Sequence, residues 1–532
     1  MSIKPDAEKN AVAFTRELSS FLDAETSKQA GILETRYSIL KETVISGLEY
    51  DSRKVRPGFM YFALRGLHTD GHKFIADAVG RGASVVVCEE LPSECKDTVT
   101  YIRVKDSRFA MSPLAASFYN HPSRSMAIIG VTGTEGKSTT VYLIYQLLKL
   151  LGCRAGFIST VMYGDGKNET PNPEHQTTPE AVQVHRMLAE MKCNGADFAV
   201  VEASSHGLSR RTNRLGDLAF DVGVMTNVTH EHLEFHGTWE QYRSDKAELF
   251  RNLGKVKKSH AEKLPCFGVV NALDSSALYF ASAAEHKTYT FAVKESDADL
   301  VVKFIESGAG GNRYEVFSSA ENDSFIIRDK LPGVFNAGNV LASLLAVSNL
   351  LGVSIREAAA LVPELKPVTG RMTAVNRGQP FEVVIDYAHT PSSFQAVFPS
   401  LRERLNASGG RIISLFGSGG ERDTAKRPEQ GRIAAAYSDI VILSDEDPRG
   451  EVPMDILKQI AVGIENKTEG KDLFLIPDRP LAIRKAFSLA RKGDLALLLG
   501  KGHENSIIYE KETVPYDETA EAVKALGELG FC

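Results

Sequence analysis

Unbroken apolar runs of three to six residues recur along the chain, each closing on polar or glycine-rich residues. They alternate with stretches whose apolar positions fall three and four apart. Runs of the first kind suit strands buried on both faces of a parallel sheet, and stretches of the second suit amphipathic helices packed over it. Strands are expected at 59–64, 83–88 and 100–104, with a helix at 74–79, and together they make a small α/β unit ending near His121-Pro122. A second series follows, with strands at 126–131, 198–201 and 221–225 and helices at 141–151, 239–249 and 340–351. A third has strands at 383–385, 412–416, 440–443, 473–476 and 495–499. Residues before about Ser38 read as helix with a charged face. The pattern predicts an α/β protein of three domains, over 1–122, 123–365 and 366–532.

The strand at 126–131 breaks into Gly130-Val-Thr-Gly133-Thr134-Glu135-Gly136-Lys137-Ser138-Thr139 and then into a helix. Glycines let backbone N–H groups approach phosphate oxygens and the helix start adds partial positive charge. Lys137 adds a full charge, and the Ser138 hydroxyl can hold Mg2+. This predicts a nucleotide-binding loop, in a variant form whose glycines are Gly130, Gly133 and Gly136, with Val131 where the standard pattern has its first glycine.

Ligands of parallel sheets gather at the carboxyl ends of the strands. Glu202 ends the strand at 198–201, where a carboxylate can bind nucleotide-bound Mg2+. The strand at 221–225 delivers Thr226 to Gly237, with His230, His232 and His236. Three histidines so close invite a zinc reading. The H-x-H-x-x-x-H spacing lacks the helical H-E-x-x-H arrangement, so Mg2+ or substrate binding by one of them is preferred. Asn336 and Asn339 stand at a loop-to-helix start, where capping accounts for one of them. In the third series all five strands end in polar loops, which predicts a pocket along one sheet edge.

Composition narrows the function. Hydrophobic residues make 43%, charged residues 24%, and the formal net charge is -6, which excludes bulk attraction to nucleic acid or anionic membranes. The first 28 residues lack an apolar signal core and no segment suits a bilayer span, so the cytoplasm is expected. The six cysteines are scattered without C-x-x-C spacing and read as reduced structural thiols.

Gly130 to Ser138, Glu202-Ala-Ser-Ser-His-Gly207, Thr226 to Gly237, Asp386-Tyr-Ala-His-Thr-Pro391 and Gly500-Lys-Gly-His-Glu504 together resemble the Mur ligase family, above all its tripeptide-synthetase branch. The resemblance runs from about Tyr50 nearly to the end. It implies a UDP-sugar domain, a central P-loop ATPase domain and a Rossmann-like domain for the incoming amino acid. The implied reaction is ATP-dependent, ADP-forming ligation of a diamino acid to UDP-N-acetylmuramoyl-L-alanyl-D-glutamate through an acyl phosphate, in peptidoglycan precursor synthesis. It further implies ATP binding by Gly133, Thr134, Gly136, Lys137, Ser138, Thr139, Asn336, Asn339 and Asp386. Mg2+ would be held by Ser138, Glu202 and His232, and a second metal by Lys246 as a carbamate, although Lys246 alone would pass for a solvated helix lysine. The UDP-sugar positions are Ser52, His68, Thr69, Thr177, Thr178 and Ser204, with Arg210 and Arg211. Here Ser-Arg-Arg-Thr-Asn-Arg214 replaces the Val-Gln-His-Arg of many relatives and leaves the choice among Arg210, Arg211 and Arg214 open. The chain also has Glu135 where Asn is usual, and Glu231 and Glu234 where Asp is usual. A monomer is expected.

The amino-acid positions implied are Arg422, Glu446, Asp447, Arg449, Gly500 and Glu504. Relatives adding meso-diaminopimelate carry Asp-Asn-Pro-Arg where this chain has Glu446-Asp447-Pro448-Arg449. An ionised Asp447 would repel a distal carboxylate and attract an ammonium, which favours L-lysine or L-ornithine. Arg449 argues for diaminopimelate unless it pairs with Asp447 or Glu451. A folylpolyglutamate-synthetase-like ligase would lack Asp51-Ser-Arg53 and the 500–504 loop in this setting. A GTPase-like switch would need an N-K-x-D element that is absent, and intact lysines and carboxylates argue against a non-catalytic nucleotide-binding scaffold.

Overall fold

The computed structural model describes residues 14–38, 42–66, 69–172, 176–229, 233–256, 258, 264–308 and 311–531. The chain forms two compact units, one of residues 1–290 with 342–354 and one of 291–341 with 355–532. No described helix is long and apolar enough to cross a membrane.

The first unit opens with a sheet in the order Ile32–Arg36, Thr100–Val104, Val85–Cys88, Phe59–Phe62, Gly47–Glu49, parallel except for its first pair. Among the described residues, the helical stretch expected before Ser38 is realised as Leu18–Phe21 and Ala24–Gln29. Gly31 then turns the chain at φ +63°, and Ile32–Arg36 pairs with Thr100–Val104, so sheet pairing overrides the local helical pattern.

The nucleotide-loop strand Ala127–Thr132 lies between Phe198–Glu202 and Val222–Met225, and all three are parallel. Ala155–Ile158 and Phe267–Asn271 extend the parallel set on either side. In this register Glu202 stands opposite Val131 and Met225 opposite Thr132, so both strand ends flank the loop. The helix Ser107–Phe118 packs on Ala181–Cys193, and Met111 and Leu114 share an apolar core with Val182 and Ala189.

The second unit contains a sheet ordered Thr373–Ala374, Glu382–Asp386, Leu495–Leu499, Ile412–Phe416, Ile440–Leu443, Leu473–Leu475, parallel apart from its first pair. Alternation decides its two faces. Ile412 and Phe416 join Phe394, Phe398, Ile433 and Ile460, whereas Ile413 and Leu415 join Ile483, Phe487 and Leu526. Because the five long strands are parallel, their carboxyl ends share one edge, as the polar strand endings predict. The unit also holds an antiparallel meander, Leu300–Gly308, Gly311–Ser318 and Asp323–Asp329.

Candidate functional site

The glycines of the loop have different jobs. Gly136 (φ +82°) turns the chain into the helix Lys137–Leu150, and Gly133 (φ +151°) sits where a Cβ would collide with the Thr226 hydroxyl. Gly130 lies inside the strand, where a Cβ would come 2.5 Å from Leu249 and 2.8 Å from the Phe220 ring. It is a packing glycine that lets the helix Trp239–Arg251 lie against the strand.

Side chains lock the loop from outside. Glu135 N donates to Asn227 Oδ1 (2.8 Å), and the Glu135 carbonyl accepts from Thr226 Oγ1 (2.6 Å) and Asn227 Nδ2 (3.1 Å). Thr134 Oγ1 accepts from Thr229 N (2.9 Å) and lies 3.0 Å from Tyr242 OH. Lys137 Nζ donates to the Thr134 carbonyl (2.7 Å), curling back over the loop. Thr139 is half-buried in the first helical turn.

Glu202 is 1% exposed and its carboxylate accepts from Ser138 Oγ (3.0 Å), Thr160 N (2.7 Å) and Thr160 Oγ1 (3.0 Å). Its carbonyl accepts from Thr178 Oγ1 (2.9 Å), which in turn accepts from Ser204 N (3.0 Å) and Ser204 Oγ (2.9 Å). Thr177 is half-buried next to Thr178. Carboxylate and hydroxyl oxygens beside a phosphate loop are a hard donor set that suits Mg2+. Lys246, 1% exposed, donates to the Gly133 carbonyl (2.5 Å) and lies 4.5 Å above the Tyr242 ring. As an ammonium it would repel a cation there, whereas a carbamate would supply oxygens.

Thus Lys137, Ser138, Glu202, Thr178, Ser204 and Lys246 are gathered around one loop. His68 and His232, like His230 and Glu231, lie outside the described residues. His236 is enclosed and engaged on both ring nitrogens, by Asp245 Oδ2 (2.7 Å) and Ser205 Oγ (3.0 Å), and no group of three described His, Cys, Asp or Glu side chains is poised for a metal. Arg214 donates to the Thr178 carbonyl (2.8 Å) and to Glu180 (2.7 Å), which also receives Arg108 (3.0 Å). Arg210 is exposed, with one 3.2 Å bond to Glu248, and Arg211 stacks 4.8 Å from the Phe235 ring. Ser52 is buried in a 3-10 turn capped by Asp51, and Thr69 is exposed.

In the second unit, Asp386 accepts from Met372 N (2.7 Å) and Ala388 N (2.8 Å), and burial raises its carboxyl above the usual range. Asn336 and Asn339 bond each other (2.8 Å) in the first turn of Asn336–Leu351, and Asn336 also reaches the Pro332 carbonyl (2.8 Å). Lys501, fully buried, donates to Asp447 (2.9 Å) and Glu504 (2.6 Å). Ile508 N gives Asp447 a second bond (3.0 Å), and Arg449 stands 3.8 Å from it. Glu451 is taken by buried Arg427, so of the two pairings open to Arg449 only Asp447 is made. Burial raises Glu504, with Lys501 opposing, and Tyr387 OH donates to it (3.2 Å). Glu446 Oε2 is buried without a hydrogen bond, 3.2 Å from where a Cβ on Gly500 (φ +99°) would stand. Arg422 is exposed.

Thr160, Tyr242 and Lys501 were not singled out from the sequence. Thr160 follows the strand Ala155–Ile158 and Lys501 lies within Gly500 to Glu504, so strand-end position was the available signal for both. Tyr242 shows only helical spacing.

Residues 131–347 match the Mur ligase middle domain, 370–502 the Mur ligase glutamate ligase domain, and 44–119 the Mur ligase family catalytic domain. The chain is 52% identical over 504 residues to a UDP-N-acetylmuramyl-tripeptide synthetase of Treponema denticola, covering 91% of this chain and 94% of that one. It is 48% identical to the synthetase of the same name from Treponema pallidum, covering 91% and 93%. The solved structure of a UDP-N-acetylmuramoyl-L-alanyl-D-glutamate–2,6-diaminopimelate ligase superposes with a TM-score of 0.60 at 28% identity, covering 92% of this chain and 96% of that one.

Proposed function

The chain belongs to the Mur ligase family of ATP-dependent, ADP-forming amide ligases, with its three-domain architecture, and on that premise we propose that it adds L-lysine or L-ornithine to UDP-N-acetylmuramoyl-L-alanyl-D-glutamate. A MurE-type role in peptidoglycan precursor synthesis follows from its relatives; the amino acid is our reading. We take the domains as 1–122 for the UDP-sugar, 123–365 for ATP and 366–532 for the amino acid, and the active species as a cytoplasmic monomer.

A carboxylate is a poor electrophile, so its oxygen first attacks the γ-phosphorus of ATP, the bond to the bridging oxygen breaks, and ADP leaves. The free amine then attacks the acyl carbon and loses a proton, and phosphate departs as the amide forms. Lys137 and the loop N–H groups hold the phosphates, and Thr139 supports the helix start. Mg2+, held by Ser138, Glu202 and His232, would offset the charge gathering on the phosphoryl oxygens. Lys246, as a carbamate, would supply oxygens to a second Mg2+. Asn336, Asn339 and Asp386 contact the nucleotide. Ser52, His68, Thr69, Thr177, Thr178 and Ser204 hold the UDP-sugar peptide. Arg210 and Arg211 meet its anionic groups, because Arg214 is already spent on Thr178 and Glu180.

One observation carries the choice of amino acid: Glu446, Asp447 and Glu504 outnumber the cations Lys501 and Arg449 that stand against them, and Glu446 Oε2 has no hydrogen bond. Lys501 and Arg449 both stand against Asp447 and Lys501 also against Glu504, which leaves Glu446, beside Gly500, as the carboxylate without either cation. A side chain ending in an ammonium fits that surplus, and one ending in a carboxylate does not. Arg422 binds the α-carboxylate common to all candidates. The opposite reading, meso-diaminopimelate, is favoured by the buried Arg449 Nε, which also lacks a hydrogen bond. The test is kcat/KM for L-lysine, L-ornithine and meso-diaminopimelate in parallel, with Asp447→Asn as companion. Lysine or ornithine is expected to lead; a clear preference for diaminopimelate overturns the assignment.

A further inference from the structure

One buried hydrogen-bonded chain is left unused by the reaction as described. Asp245 Oδ2 lies 2.7 Å from His236 Nδ1, and His236 Nε2 lies 3.0 Å from Ser205 Oγ. A carboxylate only accepts, so Nδ1 carries a proton, and in the neutral imidazole Nε2 then accepts from the serine hydroxyl. The same three residue types serve hydrolases, but Ser205 is 2% exposed and the His236 side chain is wholly enclosed, which denies any substrate access to the serine. The chain connects rather than reacts.

What it connects is informative. Ser205 directly follows Ser204 and stands three residues after Glu202, at the start of Ser205–Leu208. Asp245 precedes Lys246 on the helix Trp239–Arg251 and is held from its other oxygen by Gln241 Nε2 (2.9 Å). The His236 ring packs edge-on against Tyr242 (5.2 Å), whose own ring lies under Lys246 and whose hydroxyl reaches Thr134 of the phosphate loop. Each of the two oxygen-bearing arms, Glu202 and Lys246, is thus one to three residues from an end of the chain.

We propose that His236 is a positioning residue for the divalent cation: by tying Ser205 to Asp245 it fixes the distance between the loop that carries Glu202 and the helix that carries Lys246. This rests on the reading of Glu202 and Lys246 as metal arms. Groups that orient metal ligands typically govern metal affinity by about 10- to 100-fold when removed.

The test uses the full-length protein and reads Mg2+-dependent ADP binding by calorimetry, Mg2+ half-saturation of ligation, and the thermal midpoint. Ser205→Ala is the mildest variant, removing one hydroxyl. His236→Asn can mimic only the Nδ1 bond and His236→Gln only the Nε2 bond. Mg2+ half-saturation is expected to rise about tenfold or more in Ser205→Ala and in both histidine variants. Mg2+-dependent ADP binding should weaken in parallel, and the Ser205→Ala/Asp245→Asn pair should be no worse than Asp245→Asn alone. Lowered thermal midpoints with unchanged Mg2+ dependence, measured well below those midpoints, would reduce His236 to packing and overturn the proposal. Glu202→Gln and Lys246→Ala run alongside. If either binds Mg2+ and ligates like the parent, the metal-arm reading fails first, which separates that failure from failure of the tie.

Discussion

Two residues hold charges that their surroundings make testable. Lys246 is buried, with the Gly133 carbonyl and the Tyr242 ring face against its amino group. If it works as a carbamate, Lys246→Ala removes oxygens and not merely an ammonium. Activity should therefore fall by orders of magnitude and recover in part when short carboxylates such as acetate or propionate are added to the assay. Full activity without any additive would make the lysine a packing residue. Asp445 is the second case. Burial pushes its carboxyl up to about 6, against the pull of the Tyr509 hydroxyl at 3.1 Å and of Arg479. An unfolded chain titrates Asp near 4, so between these values the folded protein holds the proton more tightly. The stability contributed by the protonated form is complete below about pH 4 and is lost as pH rises through about 6. Asp445→Asn keeps an oxygen for Tyr509 and has no charge to bury. Its thermal midpoint should exceed the parent's at about pH 8 and match it at about pH 4, and an equal gain at both would contradict the burial argument.

At the level of elements, the strand ends carried most of what the sequence disclosed. Every strand expected in the third series forms, because continuous apolar runs bounded by polar loops have few other solutions in an α/β chain. Glu202, Asp386, Gly500 and Glu504 all lie at or just beyond strand carboxyl ends. Contacts made across long stretches of sequence were not legible. Nothing local to Lys501 announces that it will clamp Asp447, 54 residues away, nor does Thr160 announce Glu202, 42 away. The end of the expected amino-terminal helical stretch was overturned for the same reason, since Ile32–Arg36 found a strand partner near residue 100. Gly130 is the clearest element-scale test. Its missing Cβ lets the helix Trp239–Arg251 approach the loop strand through Leu249. Gly130→Ala should cost about 1–3 kcal/mol by overpacking and lower ligation as the helix carrying Lys246 is displaced. An unchanged thermal midpoint with full activity would show that this packing is not constraining.

For the whole molecule, a net charge of -6 offers no general attraction to three anionic or zwitterionic substrates, so each must be held by local groups. In the proposed reading the phosphate loop supplies these for ATP, the first 122 residues do so for the nucleotide sugar, and the charged strand ends of the last block do so for the amine. A protein that only bound nucleotide would need none of the latter, and a simple ATPase would release phosphate without them. The most direct test follows from that difference. Purified protein is mixed with ATP, Mg2+ and UDP-N-acetylmuramoyl-L-alanyl-D-glutamate, and phosphate is followed with and without L-lysine, alongside mass analysis of the nucleotide product. The account predicts sustained phosphate release only when the amino acid is present, matched one-to-one by UDP-N-acetylmuramoyl-tripeptide. Phosphate release at the same rate without dipeptide or amino acid, or turnover that yields no tripeptide with any of the three diamino acids, would contradict it.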